Sequence, residues 1–221
     1  MSAPSVPPPT VRILHTSDIH VGDNHDGPAA VAALVDLALE HGVDAMLIVG
    51  DFFDHNRLDT AFGQSVVDQL ERLPVPVVVL PTHVQLLTEP DGQTVVLADL
   101  DLEIWGRPHI SYDDLRPLAG LPPRGAATWQ LALAHGQLVL TSDDLRRAYQ
   151  ITPEEIAASE RDYVALGHWD VPRDVTSGSV AASYSGSPSR RDVCALVTLS
   201  TDGNERRVVV ESIAVGTRDA Q

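Results

Sequence analysis

The sequence of 221 residues has no lysine, one cysteine and no long apolar segment. The single cysteine, Cys194, excludes an internal disulfide, and its place in the apolar run Val193–Leu199 predicts a buried, unreactive thiol. No apolar run approaches the roughly 20 residues that a membrane-spanning helix needs, so we expect no membrane partner. The segment Ser2–Thr10 lacks the charged and apolar regions of a signal peptide, which favours a cytoplasmic location.

The charge balance is strongly acidic. All 15 basic residues are arginines, they stand against 31 acidic residues, and the formal net charge is −16. A field of this sign repels the phosphates of nucleic acids unless basic groups cluster on one face. Nucleic acid is therefore a disfavoured partner, although two bound divalent ions would add four positive charges at one place and create a local phosphate site. The sequence does not indicate an oligomeric state.

The length suits one domain with enough buried surface to fold alone. Residues 1–10, rich in proline and small side chains, are expected to form a disordered lead, followed by the domain over residues 11–215 and a tail over residues 216–221. Apolar residues recur at helical spacing over Pro28–Glu40. They recur again at Phe62, Val66, Leu70 and Leu73, after Asp59-Thr60 and before Pro74. These two helices separate strand-like runs, and such alternation predicts parallel strands in an α/β fold.

The second half of the chain is richer in strand patterns. A helix is expected to start at Thr152, because Thr152-Pro153-Glu154-Glu155 has the pattern of a capping box with proline at the first helical position. Later, strand-like runs over residues 180–213 are consistent with a meander.

Five segments place a side chain able to bind a metal just after a strand-like run. They are Asp18-Ile19-His20, Asp51-Phe52-Phe53-Asp54, Thr82-His83, His135 and His168-Trp169-Asp170. The loops at the carboxyl ends of strands in an open α/β sheet gather at one edge, where ligands bind. A single histidine after a strand is usually structural, but several histidines and carboxylates at one edge are hard to explain in that way. The pattern therefore predicts a hydrolytic metal centre.

The spacing within these segments suggests how ions would be held. If the first strand continues to His20, the side chains of Asp18 and His20 point to one face and can bind one ion. Asp51 has two carboxylate oxygens and can bridge two ions, while Gly50 before it permits a tight turn or a close backbone approach. Mixed Asp and His donors suit Mn, Fe and Zn, and two such ions support phosphate-ester hydrolysis.

As a set, these motifs resemble the calcineurin-like metallophosphoesterases. The similarity extends from about Val11 to Ser200 and includes Tyr184-Ser185-Gly186-Ser187-Pro188 beyond the metal-binding segments. Within that family, the motifs resemble most the branch that includes SbcD-type DNA-repair nuclease subunits and small bacterial phosphoesterases. The resemblance implies a four-layer α/β/β/α sandwich of two mixed sheets.

The resemblance also implies a role for each site residue. Two divalent ions, expected to be Mn with Fe or Zn as alternatives, would be bound. Their ligands would be Asp18, His20 and Asp51 for the first ion, and Asp51, His135 and His168 for the second. Asp54 would orient a neighbouring ligand. Asp170 stands where the family has a further histidine ligand, so it would complete the first site as a carboxylate.

A larger departure concerns the loop after the third strand. The family has Gly-Asn-His at this point, where the Asn binds the second metal and the His protonates the leaving group. Here Pro81 leads directly into Thr82-His83. Either His83 is a remnant of the catalytic histidine, or the whole loop is absent and His83–Leu87 begins the strand that normally follows it. True absence would remove general-acid help, which typically contributes about 10²–10⁴-fold in rate.

The leading functional hypothesis is a metal-dependent phosphoesterase that hydrolyses a phosphodiester or phosphomonoester with a metal-bound hydroxide. A DNA exonuclease subunit of SbcD type is an alternative within the same chemistry. A non-catalytic scaffold that keeps the fold and binds metal without turnover is an alternative from a different class.

Overall fold

The computed structural model describes residues 10–22, 27–53, 60–80, 87, 89–108, 116–140, 149–203 and 205–216. The first half of this part contains the strands β1 (Val11–Thr16), β2 (Ala45–Val49), β3 (Val77–Leu80), β4 (Gln93–Leu97) and β5 (Leu102–Gly106), with the helices α1 (Gly27–His41) and α2 (Thr60–Leu70). The second half contains β6 (Trp129–His135), β7 (Gln137–Leu138), β8 (Gln150–Ile151), β9 (Tyr163–Gly167), β10 (Arg173–Asp174), β11 (Ala181–Tyr184), β12 (Val193–Asp202) and β13 (Glu205–Ala214), with the helices α3 (Pro153–Ala158) and α4 (Pro188–Arg191).

Two mixed sheets form the centre of the fold. The first sheet has the strand order β13-β12-β1-β2-β3, and the second has the order β10-β11-β9-β6-β5-β4. Strands β1, β2 and β3 are mutually parallel, as the alternation of strands and helices predicted. Strands β5, β6, β9 and β11 form the parallel part of the second sheet.

Strand β2 illustrates why the two sheets stack. All five of its residues are buried. Met46 and Ile48 belong to a core shared with α1 and α2, whereas Leu47 and Val49 belong to a core shared with the second sheet. Because successive side chains of a strand point to opposite faces, a continuous apolar run is the pattern of a strand covered on both sides.

The outer layers complete the sandwich. Helix α1 buries the apolar residues of its predicted face, including Val31 and Leu34, against the first sheet. On the far side, Ile156 of α3 packs with Val164 of the second sheet. The hydroxyl of Thr152 accepts from the backbone N–H of Glu155, whose carboxylate accepts from the Thr152 N–H, so the predicted capping box is present. The predicted four-layer α/β/β/α sandwich is thus confirmed.

The prediction of a meander over residues 180–213 is wrong. Strand β11 pairs in parallel with β9 in the second sheet, whereas β12 and β13 form an antiparallel hairpin in the first sheet. Strand periodicity predicts a strand but carries no information about which of two stacked sheets it joins. The chain changes sheets in the segment Ser185–Asp192, which contains α4.

The longest helix in the described part of the chain, α1, has 15 residues, and none of the helices there is long and apolar enough to cross a bilayer. Of the expected lead over residues 1–10 and the expected tail over residues 216–221, all but residues 10 and 216 lie outside the described residues.

Candidate metal centre

The ends of strands from both sheets meet at one edge of the sandwich. Asp51 follows β2 of the first sheet, and His135 ends β6 of the second. Their side chains approach each other, with 3.5 Å between Oδ2 of Asp51 and Nε2 of His135. The convergence of Asp51 and His135 that the carboxyl-end rule predicted therefore occurs between the two sheets rather than along one of them.

The loops after β1 and β2 run side by side. The backbone N–H of Asp18 donates to the carbonyl of Gly50 at 3.2 Å, and that of His20 donates to the carbonyl of Asp51 at 2.9 Å. Asp18, His20 and Asp51 all adopt left-handed backbone conformations, with φ of 52°, 53° and 41°. One donor atom from each of these three side chains lies within 4.8 Å of the others.

This geometry differs from the one expected for Asp18 and His20. Strand β1 ends at Thr16, so the two residues do not share a face of an extended strand. They converge because two left-handed residues turn the loop towards the end of β2. Left-handed conformations at residues other than glycine store about 1–3 kcal/mol each, and they persist where the surrounding structure holds them.

Two glycines make room for His135. Gly50 has φ of +80°, and a Cβ atom there would overlap Nδ1 of the His135 ring. A Cβ atom on Gly167 would overlap the carbonyl oxygen of Val49 and approach the same ring. The close backbone approach expected at Gly50 is therefore confirmed, and its partner is an imidazole.

The tautomer of His135 follows from its neighbours. Its Nδ1 lies 3.1 Å from the carbonyl oxygen of Val49. A carbonyl can only accept, so Nδ1 carries the proton and Nε2 faces Asp51. A backbone carbonyl that holds the far nitrogen in this way is the usual support of a metal-binding histidine.

His168 reaches the same place from β9. Its backbone N–H donates to Oδ2 of the buried Asp18 at 2.8 Å. Its ring lies edge-on to that of His135, with 5.4 Å between the ring centroids. The backbone of His168 has φ of 110°, a conformation that residues with a Cβ atom rarely adopt.

The charges of the site shift the pKa values of its members. The hydrogen bond and the charge of His135 lower the pKa of Asp51 to about 2, although partial burial opposes the shift. Burial alone would lower the pKa of His135, but Asp51 and Asp18 outweigh it and raise that pKa above 6.5. Burial and the neighbouring charge of His135 lower the pKa of His168. In the metal-free protein, these shifts favour the charged forms of both Asp51 and His135, which attract each other.

A distant segment, which includes Ser187 and Ser189, supports the backbone of Asp18. The metal-binding motifs in the sequence did not predict this contact. The hydroxyl of Ser187 donates to the carbonyl oxygen of Asp18 at 2.7 Å, and that of Ser189 approaches the same atom at 3.3 Å. Ser187 lies in the motif Tyr184–Pro188, which is part of the family resemblance. This motif was the one sequence feature that indicated a role for Ser187 near the site.

Asp170 has a different neighbour from the one predicted. Its Oδ2 lies 3.4 Å from Nη1 of Arg190 at the rim of the site. It is not part of the group formed by Asp18, His20 and Asp51, and its role as a ligand stays a prediction. The predicted catalytic residues Asp54 and His83 lie outside the described residues.

An aromatic stack borders the site. The ring of Trp169 stacks on that of Tyr184, with 5.0 Å between centroids, and the Arg173 guanidinium lies 4.7 Å from the centroid of the Trp169 ring. The indole N–H donates to the side chain of Gln137 at 3.1 Å. These contacts fix the residue that separates His168 from Asp170.

The donor set fits divalent metal ions. Asp18, His20 and Asp51 offer mixed oxygen and nitrogen donors around one point, and His135 and His168 also lie near Asp51. Mn, Fe and Zn accept such mixed donors. The strained backbone at Asp18, His20, Asp51 and His168 is typical of a site held ready for a ligand.

Comparison with known proteins agrees with this fold. Residues 11–81, which include Asp18, His20 and Asp51, match the family model described as calcineurin-like phosphoesterase. Among solved structures, the protein TT1561 of Thermus thermophilus has 14% identity and a TM-score of 0.58, and the match covers 94% of this chain and 100% of that one.

Two further structures are similar at the level of the fold. A dimetal phosphatase from Danio rerio has 12% identity and a TM-score of 0.57, with 96% of this chain and 100% of that chain covered. GAP50 of Plasmodium, described as the anchor in the inner membrane complex, has 12% identity and a TM-score of 0.57, with 93% of this chain and 85% of that chain covered. No curated protein matches the chain by sequence. The chain thus has the calcineurin-like phosphoesterase fold.

Proposed function

We propose that this protein is a metal-dependent phosphoesterase with two divalent ions on either side of Asp51. The observation that supports it most strongly is the position of Asp51, whose carboxylate contacts His135 and also lies beside the donors of Asp18 and His20. A carboxylate within reach of both proposed ligand sets is the arrangement that a bridging ligand requires. The dimetal phosphatase from Danio rerio shares this fold.

In this proposal the ligands divide by position. Asp18, His20 and Asp51 would hold one ion, and Asp51, His135 and His168 would hold the other. When bound, such a pair of ions lowers the pKa of a water molecule and stabilises the negative charge of the phosphate. Mn is the proposed metal, with Fe or Zn as alternatives, because mixed Asp and His donors suit these ions.

The side chains of the site contribute orientation and charge. The carbonyl of Val49 holds His135 so that Nε2 faces the site. The backbone N–H of His168 holds one oxygen of Asp18. The low pKa of Asp51 keeps its carboxylate ionised at neutral pH, so both of its oxygens are available as ligands.

The proposed substrates are phosphomonoesters or phosphodiesters of modest size, in a cytoplasmic setting. The net charge of −16 disfavours a nucleic-acid duplex, whose phosphates would be repelled along a long contact. A small ester presents one phosphate to the ions and avoids most of that repulsion.

The test is hydrolysis with added Mn²⁺. We expect turnover of p-nitrophenyl phosphate or bis-p-nitrophenyl phosphate, loss of that turnover in Asp51→Asn, and no change in Asp99→Asn. Asp99 is an exposed carboxylate outside the site, so it controls for the loss of one charge. Absence of turnover with Mn, Fe, Zn, Ni and Co would contradict the proposal. A labelled DNA duplex in the same assay tests the SbcD-type nuclease alternative, which requires it to be the preferred substrate.

A non-catalytic scaffold is a second candidate. It is favoured by Asp170, which contacts Arg190 and leaves three donors around the first ion position. The fold is also shared with GAP50, a protein described as an anchor. Metal analysis separates the two candidates: two ions per chain with turnover supports the enzyme, and one or none without turnover supports the scaffold.

A further inference from the structure

We infer that Arg190, held in place by Asp170, is a binding site for a phosphate group at the rim of the metal centre. The inference rests on the proposed function for the class of substrate. It assigns a ligand-binding role to a side chain that has no part in holding the ions.

The turn that carries Arg190 is attached to the loops of the site at two points. Ser187 donates its backbone N–H to the carbonyl of Asp170 at 3.0 Å, and its hydroxyl donates to the carbonyl of Asp18 at 2.7 Å. The same hydroxyl caps α4 by accepting from the backbone N–H of Arg190 at 3.3 Å. The position of the Arg190 backbone is therefore fixed relative to Asp18 and to the loop that follows His168.

The Arg190 side chain contacts Asp170, two residues after His168, and this contact leaves most of its donors available. Nη1 of Arg190 lies 3.4 Å from Oδ2 of Asp170, and 58% of the Arg190 side chain is exposed. A guanidinium has five N–H donors in a planar fork, and one carboxylate oxygen engages few of them. Donors remain accessible to a second anion, and the fork matches the geometry of a phosphate.

The negative charge of the site explains why a cation there would help to bind an anionic substrate. Asp18 and Asp51 place two carboxylates at the site, and Asp170 adds a third two residues after His168, in a chain with a net charge of −16. An anionic substrate that approaches this edge gains from a cation near the ions. Arg173 is less suited to that role, because its guanidinium lies over the Trp169 ring.

Asp170 then acts as the positioning residue for Arg190. Its carboxylate orients the guanidinium without neutralising it completely, since the contact is long and both partners are partly exposed. This role differs from the ligand role predicted for Asp170 from the sequence. A ligand role predicts that Asp170→Asn loses metal, whereas a positioning role predicts that it retains metal.

The experiment is calorimetric titration of the Mn²⁺-loaded protein with inorganic phosphate. We expect Arg190→Gln to weaken phosphate binding about 10-fold or more, because a charge-assisted hydrogen bond is lost. Arg190→Lys should recover part of the affinity. Arg191→Gln should bind within twofold of the wild type, since Arg191 lies on the same turn, is exposed, and has no ion pair among the described residues. Equal affinities of Arg190→Gln and Arg191→Gln would overturn the inference, as would a wild type that binds no phosphate.

Two further readouts separate this inference from the proposed function. Asp170→Asn and Arg190→Gln should retain the wild-type Mn content, and loss of an ion from either would overturn the assignment. With a hydrolysed substrate, Arg190→Gln should raise KM about 10-fold and leave kcat within about threefold. If the wild type hydrolyses nothing, the proposed function fails, and phosphate binding still decides the role of Arg190.

Discussion

Asp51 and His135 lie 3.5 Å apart across the junction of the two sheets, between Oδ2 of one and Nε2 of the other. One residue follows β2 in the first sheet, and the other ends β6 in the second. Their contact links the layers of the sandwich at the edge where the other site residues collect. The pair therefore serves both the stability of the metal-free protein and the geometry of the proposed centre.

The first prediction concerns the pH dependence of this pair in EDTA. The raised pKa of His135 gives stability that is present below pH 6.5 and lost as the pH rises through the folded-state value. The lowered pKa of Asp51 gives stability that is present above 3.8 and lost as the pH falls towards about 2. The pair thus stabilises the fold most between these limits. The free energy is below about 1 kcal/mol, because the Asp51 side chain is partly exposed.

Urea unfolding of the wild type and Asp51→Asn at pH 5.5 and pH 8.5 measures this effect. We expect the wild type to have the advantage at pH 5.5. As the pH rises towards 8.5 and His135 loses its proton, this advantage should shrink, because the repulsion between Asp51 and Asp18 remains. Asp99→Asn is the charge control. A wild-type advantage that grows from pH 5.5 to pH 8.5 would contradict the assignment.

The second prediction concerns His15, which is buried in β1 with its Nδ1 2.8 Å from the hydroxyl of Tyr163. Burial lowers the pKa of His15 to about 3. The unfolded chain binds a proton below pH 6.5 that the folded chain does not, so stability falls by about 1.4 kcal/mol per pH unit from there towards pH 3. His15→Asn should lower the free energy of unfolding by about 1–3 kcal/mol at pH 7. In urea unfolding, that free energy should fall less steeply with decreasing pH than in the wild type.

His41→Asn, at the end of α1, is the matched control for this slope. The wild type and this control should lose stability in parallel between pH 6.5 and pH 4.5. If the free energy of unfolding of His15→Asn falls as steeply with decreasing pH as that of the wild type, His15 is not the group responsible.

The third prediction concerns the glycine beneath the His135 ring. Gly50→Ala places a Cβ atom against Nδ1 of His135 at a left-handed φ, and we expect a loss of about 2–5 kcal/mol in the free energy of unfolding, with weaker Mn²⁺ binding. Gly42→Ala has a similar positive φ and no neighbour within 4 Å, so it should cost about 1–2 kcal/mol and leave metal binding unchanged. Equal effects of the two substitutions on Mn²⁺ affinity would contradict the proposed role of Gly50.

Part of this arrangement follows from the sequence by simple rules. Helical spacing identified α1, because its apolar face has to cover a sheet. The rule that side chains at the carboxyl ends of parallel strands share one edge predicted that Asp51 and His135 would meet, although their strands belong to different sheets. Neither inference needs knowledge of the loops.

Other features depend on contacts that a local pattern does not encode. The left-handed turns at Asp18 and His20 are held by hydrogen bonds to the carbonyls of Gly50 and Asp51, which are distant in the chain. The sheet that β11 joins is decided by packing after the strands have formed. The hydrogen bond from Ser187 to Asp18 joins residues far apart in the chain. In the sequence, it was indicated only by the motif Tyr184–Pro188, which belongs to the family resemblance.

The central claim is that Asp51 bridges two divalent ions, and anomalous diffraction from crystals grown with Mn²⁺ tests it most directly. We predict two manganese peaks roughly 3.5–4 Å apart, one beside Asp18 and His20 and the other beside His135 and His168, with the Asp51 carboxylate between them. Crystals with manganese bound elsewhere, or with no peak in coordination distance of Asp51, would contradict the account.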